Sequence, residues 1–252
     1  MLEVIKSRGL PLDRITTTDV WATETISANL PPVDAFKDRM DQRIWDMYHI
    51  EVEHLWAMNK DGSKRTYEQM FYHIPKRRTQ TAQEGTIKGF PGTVGVKWCQ
   101  KLKHTWVQTT NGTDKNIVEY LGIAADEPKR FGQLSDRKRA PLAEFGIYED
   151  LCGLYCQYAY MLSPSYDTSC RDGCWFCHNQ GVKQLRLLRR NYPNLWALLM
   201  KWDLDSPITF KADGHTVHDF DLRFQLEDEM LIDPEKPFRW SMLYGDLQYR
   251  LF

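Results

Sequence analysis

Cys99, Cys152, Cys156, Cys170, Cys174 and Cys177 are the residues of this 252-residue chain with the clearest chemical potential. The run CRDGCWFCHNQ sets the last three in a C-x3-C-x2-C spacing. A C-x2-C turn aims two thiolates at one point, as tetrahedral zinc or an iron–sulfur cluster requires. Two further ligands must then come from Cys99, Cys152, Cys156 or Cys170, and spacing does not choose among them. Two alternatives stand beside metal binding: a redox-active or sulfur-carrying thiol pair, and inert buried cysteines. A disulfide framework suits a small exported domain, and this chain reads as neither. Cys174 to His178 also matches the C-x-x-C-H pattern of covalent haem attachment, which follows export.

Charged clusters form the second group. Gly122 to Arg130 (GIAADEPKR) directly follows a predicted strand. Asp126 and Glu127 suit a ribose or a cation, and Lys129 and Arg130 suit phosphate or sulfate. The same residues also read as a solvated charged turn. Lys97, Lys101 and Lys103 surround Cys99 as a cationic face, able to bind an anion, to favour a thiolate, or simply to be solvated. Lys183, Arg186, Arg189 and Arg190 form a basic stripe, either a solvated face or a nucleic-acid surface. His215 and His218 read as surface or capping residues. Asn111-Gly112-Thr113 matches a glycosylation sequon, which is idle without secretion.

The elements that must position these groups alternate through about residue 150. Leu2, Val4 and Ile5 with Gly9 and Pro11 read as a helix end. Ile15 to Ala22 is a β-branched strand. Pro31 and Pro32 open a helix to Tyr48, with Phe36, Met40, Ile44 and Met47 at helical spacing. Residues 50–57 alternate like a strand, and 63–73 suit a short helix. The glycine-rich segment 74–95, carrying Lys76, Arg77 and Arg78, reads as a long functional loop. Residues 96–108 look helical, and 116–125 form a further strand. Beyond lie helices at 147–160, 181–202 and 216–230. Two domains are expected, an α/β nucleotide-binding type at 1–146 and a helical, cysteine-rich extension at 147–252.

The alternation predicts a three-layer α/β fold with a parallel sheet and helices on its faces. The chain starts inside a helix, without the strand that should precede it. Either an upstream start has been lost, or an open apolar sheet edge is covered by a partner, a second copy or a neighbouring element.

The 33 basic and 34 acidic residues give a net charge of −1, against a strongly basic footprint for nucleic acid. Hydrophobic residues at 42% and charged ones at 27% suit a globular protein. No apolar run reaches membrane-helix length, and the charged start MLEVIKSRGLPLD is unlike a signal peptide, so a cytoplasmic protein is expected. Nine Trp point to core anchors or an aromatic binding surface.

Several of these segments together resemble the phosphoadenosine phosphosulfate reductase family, phage or mobile-element type, within the PP-loop adenine-nucleotide hydrolase superfamily. RGLPLDRITTTDVWA is similar to the segment ending in the family's Asp-Thr-Gly loop. VKWCQKLK is similar to a Trp-Cys-to-Lys motif, GIAADEPKR to a Gly-Ile-x-x-Asp-Glu-x-x-Arg motif, and RAPLAEFGIYEDLCGLYC to a Pro-Leu stretch leading to a Cys-bearing helix. SPSYDTSCRDGCWFCHNQ resembles the most specific motif, Ser-Pro-x-Tyr to Arg-x-Gly-Cys-Trp-Phe-Cys-Pro-Asn. The likeness covers about residues 1–225.

The resemblance implies a Rossmann-like sheet binding an adenine nucleotide, possession of ATP or sulfonucleotide chemistry, and sulfur transfer or sulfate reduction. It implies nucleotide contacts from Asp19, Trp21, Lys103, Asp126, Glu127, Arg130 and Arg171. It favours Cys99, Cys156, Cys174 and Cys177 as ligands of an iron–sulfur cluster or zinc. The chain departs from the family at four places. It has no Ser-Gly-Gly-x-Asp-Ser phosphate loop, Asp19-Val20-Trp21 lacks the loop glycine, His178 stands for proline, and the C-terminal catalytic Cys motif of the sulfate-assimilation reductases is absent from the sequence. A catalytically inactive derivative that binds a macromolecule, as an inhibitor does, is the alternative function.

Overall fold

The computed structural model describes residues 1–76, 85–92, 97–103, 116–167 and 173–243. The chain divides into two units, each built from two segments. The first takes Met1–Glu68 and Trp98–Cys174; the second takes Gln69–Lys97 and Trp175–Phe252.

Helix α1 (Leu2–Ser7) opens the first unit and ends at Gly9, whose φ of +61° fits the left-handed position after a helix. The amides of Gly9 and Leu10 close that end on the carbonyls of Lys6 and Ile5. Strand β1 (Ile15–Asp19) pairs in parallel with β2 (Val52–Trp56), in register from Ile15 opposite Val52 to Asp19 opposite Trp56. Helix α2 (Pro31–Tyr48) is the crossover between them. Its prolines sit in the first turn, where no intrahelical donor is lost. Phe36, Met40, Ile44 and Met47 are half-buried, as their spacing predicts. Helix α3 (Tyr67–Phe71) follows β2.

The second parallel pair is short. β3 (Glu119–Tyr120) and β4 (Lys138–Arg139) flank α4 (Pro128–Phe131). The predicted strand at 116–125 shrinks because Ile123 N bonds back to Leu121 O at 2.9 Å, turning the chain at Gly122. The parallel α/β character stands, but the described strands lie in two separate two-stranded sheets. Helices α5 (Pro141–Glu144) and α6 (Glu149–Tyr158) complete this unit. The helix expected over 96–108 is a tight 3-10 turn at Trp98–Leu102, and 104–108 lie outside the described residues.

The second unit is helical. The single helix predicted over 181–202 is two, α7 (Val182–Asn191) and α8 (Pro193–Asp205). Pro193 cannot donate and restricts Tyr192, which takes φ −136° and ψ 63°. Helix α9 (Val217–Asp228) starts with a capping box. Thr216 Oγ1 accepts from Asp219 N at 3.1 Å, and Asp219 Oδ2 accepts from Thr216 N at 2.8 Å. The core here is aromatic, with Trp202 at its centre among Phe71, Trp175 and Phe176. Trp175 and Phe176, inside the C-x2-C turn, thus serve hydrophobic packing. Among the described residues no helix is long and apolar enough to cross a membrane.

Candidate functional site

The first unit holds an open cleft of about 560 Å³ at the carboxyl ends of β1 and β3. That size suits a small organic ligand. Thr18 and Val20 come from the end of β1, and Glu119 and Leu121 from β3. The first half of α2 supplies Val33, Phe36 and Lys37, at helical spacing on one face. Lys103, Arg130, Lys138, Ser163, Gly173 and Cys174 complete much of the wall. Four cations therefore face one lining carboxylate, Glu119, while Val20, Val33, Phe36 and Leu121 offer an apolar surface.

Neighbouring carboxylates hold three of the cations. Lys37 Nζ donates to Asp19 Oδ1. Lys138 Nζ lies 3.4 Å from Glu119 Oε2 across the β3–β4 pair. Arg130 donates to Glu127 Oε1 at 2.5 Å from one turn away. Lys103 enters no ion pair with a described residue.

Asp19 belongs to a longer polar chain. Its Oδ2 lies 2.7 Å from His54 Nδ1, and His54 Nε2 lies 2.8 Å from Asp41 Oδ2. Lys37 and Asp41 are four residues apart on α2, so one helix face grips both β1 and β2. Burial pushes His54 down, but hydrogen bonds to Asp19 and Asp41 outweigh it, and its pKa lies above the ordinary imidazole value. Protonated His54 then lets both ring nitrogens donate to carboxylates. A raised pKa contributes stability that is complete below the ordinary histidine value and is lost as pH rises through the raised one. We expect the urea midpoint to fall as pH passes through the raised value of His54, and His54→Asn to flatten that decline. A midpoint equally pH-dependent in the variant would contradict it.

Lys103 and Arg130 line the cleft, as the sequence suggested. Asp19 reaches it only through Lys37. Glu127 acts through Arg130, and its Oε2 also accepts from Ala124 N at 3.4 Å. Asp126 Oδ1 accepts from Glu149 N at 3.3 Å, which ties the start of α6 to the turn after β3. Trp21 is not part of the lining; Lys64 Nζ stands 3.3 Å from its ring centroid, and its buried indole N–H has no hydrogen-bond partner among the described residues. Arg171 and Cys170 lie outside the described residues, as do Arg77, Arg78 and Asn111. Sequence reasoning missed Lys37, Lys138 and Ser163. Lys37 carries no motif signal, since only helix packing turns it into the cleft.

Cys99, Cys152, Cys156, Cys174 and Cys177 are all half-buried. The first four belong to the first unit and Cys177 to the second. Among the described residues no group of three or more His, Cys, Asp or Glu side chains is placed to hold a metal ion. Burial pushes the Cys152 thiol up against the opposing charge of the amino terminus, with Cys156, Asp126 and Glu149 adding to the rise, so Cys152 is held as a thiol rather than an activated thiolate.

The basic stripe after residue 182 is not a free surface throughout. Arg186 and Arg189 on α7 pair with Glu227, Asp221 and Asp228 on α9. His218 Nδ1 lies 2.6 Å from Asp203 Oδ2, and His178, buried, has its Nε2 2.8 Å from Lys97 Nζ. Comparison with protein-family models, with curated proteins and with solved structures gives no match to this chain.

Proposed function

We propose that the cleft beside β1 and β3 binds an adenine nucleotide or sulfonucleotide, in a Rossmann-like fold related to the phosphoadenosine phosphosulfate reductase family. The observation that carries this reading is the joint presence of four cations and an apolar wall with Phe36 beyond strand carboxyl ends. Cations suit phosphate or sulfate, an aromatic ring suits a base, and open parallel sheets bind ligands at that end. Among the described residues the side chains placed to hold an anion in the cleft are Lys103, Arg130 and Lys138.

Cys174 at the cleft wall supports sulfur chemistry as the reaction. Its thiolate attacks the sulfur of a bound sulfonucleotide, an S–S bond forms, and the S–O bond to the phosphate breaks. The electron pair leaves with the nucleotide. Cationic surroundings favour the departing phosphate. The four-cysteine zinc or iron–sulfur site implied by the resemblance would engage the same Cys174 thiolate and so competes with this step; iron and zinc content after anaerobic purification distinguishes the two.

Calorimetric titration with adenosine phosphates and adenosine phosphosulfate tests the binding. We expect saturable binding, weakened in Lys103→Glu and in Lys138→Glu. A lost charge-assisted hydrogen bond is worth about 1.5–3 kcal/mol, so the loss is tenfold or more per site. Circular dichroism of the variants must match the parent. No binding by the parent, or unchanged binding by both variants, would refute the reading.

A further inference from the structure

Helix α6 buries none of its ten residues. Tyr148, Leu151, Leu154, Tyr155 and Tyr158 nevertheless recur at three- and four-residue spacing, which places them on one face. All five are exposed, Leu154 to 64% and Tyr158 to 86%. The helix leans on its unit through Cys152, Cys156 and Ala159, its half-buried side. An apolar stripe turned outward is the reverse of what a surface helix normally shows.

The stripe continues past the helix end. Met161 N bonds to Cys156 O and Tyr160 N to Gln157 O, closing the helix in the geometry that normally takes glycine. Tyr160 occupies that place with φ +55° and is 89% exposed. A side chain there is strained and gains little from its own fold.

We infer that this face is the contact by which two copies of the chain associate, α6 against α6 about a two-fold axis. Area and charge argue for a second copy. With aromatic side chains of about 150–250 Å² each, the exposed parts of Tyr148, Leu151, Leu154, Tyr155, Tyr158 and Tyr160 sum to about 800 Å². That exceeds the largest apolar patch of ordinary monomers and matches the roughly 800 Å² each partner contributes to a stable interface. The ends of the helix are also complementary. Glu149 and Asp150 are exposed at its start, and Arg43 Nη1 donates to Ala159 O at 2.7 Å at its end. An antiparallel, two-fold pairing brings each acidic start to the partner's Arg43. Such an interface is self-complementary, so each substitution counts twice.

Sedimentation velocity over a dilution series of the full chain tests this. The parent is expected to be a dimer. Leu154→Glu and Tyr158→Glu, both at exposed positions, should weaken association at least about a hundredfold while the circular dichroism spectrum is unchanged. Combining Glu149→Arg and Asp150→Arg should also weaken it, through repulsion with Arg43. A parent that stays monomeric at its highest concentration overturns the inference, whether or not another protein or lipid vesicles then bind the stripe. So does a dimer indifferent to Leu154→Glu and Tyr158→Glu. Nucleotide titration is independent of these outcomes, because the stripe residues do not line the cleft.

Discussion

Trp202→Ala is expected to remove about 3–5 kcal/mol of stability, the usual cost of deleting a fully buried large aromatic side chain. Trp202 is 0% exposed. Its ring stacks on Trp175 at 5.7 Å with 11° between planes, and meets Phe176 at 5.6 Å and Phe71 at 6.0 Å. Phe71 in turn contacts Phe90, and Phe90 contacts Phe210, so one cavity would be felt along the whole chain of rings. Domains are stable by only about 5–15 kcal/mol, so the variant should show a large fall in urea midpoint and much less soluble protein. Trp202→Phe keeps an aromatic contact and should lose markedly less. A midpoint for Trp202→Ala within error of the parent would show that this cluster is not the core of the second unit.

Glu227→Gln should be the largest electrostatic defect. The Glu227 carboxylate is only 4% exposed and lies between two arginines, Arg186 from α7 and Arg223 from its own helix. Arg186 donates at 2.6 and 2.9 Å, and Arg223 at 2.8 Å. Removing one partner of a buried ion pair strands the other charges and costs about 3–5 kcal/mol. Burial alone would push the Glu227 carboxyl up. The hydrogen bonds from Arg186 and Arg223 outweigh it, and the pKa lies below the ordinary value. The sign follows directly: the stabilisation is complete above the ordinary glutamate pKa and is lost as pH falls through the depressed value. Parent protein should therefore weaken on the acid side of that range, and Glu227→Gln should be weaker at neutral pH with a flatter acid limb. With His54 acting in the opposite direction, stability should peak between the depressed pKa of Glu227 and the raised pKa of His54. An unchanged acid limb in Glu227→Gln would remove Glu227 from this account.

Particular residues show why some features were legible in the sequence and others not. Helix α2 could be read because its apolar residues repeat at the helical period and two prolines mark its start, both local properties. The end of α1 at Gly9 and the start of α9 at Thr216 are equally local, since each depends on bonds within a few residues. Strand β3 could not be read to its true length, because a strand exists only as far as its partner runs, and β4 offers two residues. The break at Pro193 was legible in principle, since a missing amide donor is a local fact, but the apolar periodicity on either side masked it.

The cleft divides in the same way. Lys103 and Arg130 stood out through their motifs. Lys37, Lys138 and Ser163 did not, because their side chains acquire a role only where separate segments meet. Asp126 and Asp19 also carry bonds that their motifs do not announce: one holds the start of α6 and the other is bonded to Lys37 and His54. A carboxylate's partners depend on what tertiary packing brings within hydrogen-bond reach, which residue type does not reveal.

Composition, periodicity and turn chemistry by themselves determined a mixed α/β chain with a parallel β1–β2 unit, a helical C-terminal region and a concentration of thiols between residues 152 and 177. Only the tertiary structure decided that Trp175 and Phe176 belong to an aromatic core, that Arg186 and Arg189 pair with α9, and that the apolar stripe of α6 faces outward. Short-range preferences act between residues a few bonds apart and are written in order along the chain. Burial and ion pairing act between residues far apart in sequence, and exist only once folding has brought them together.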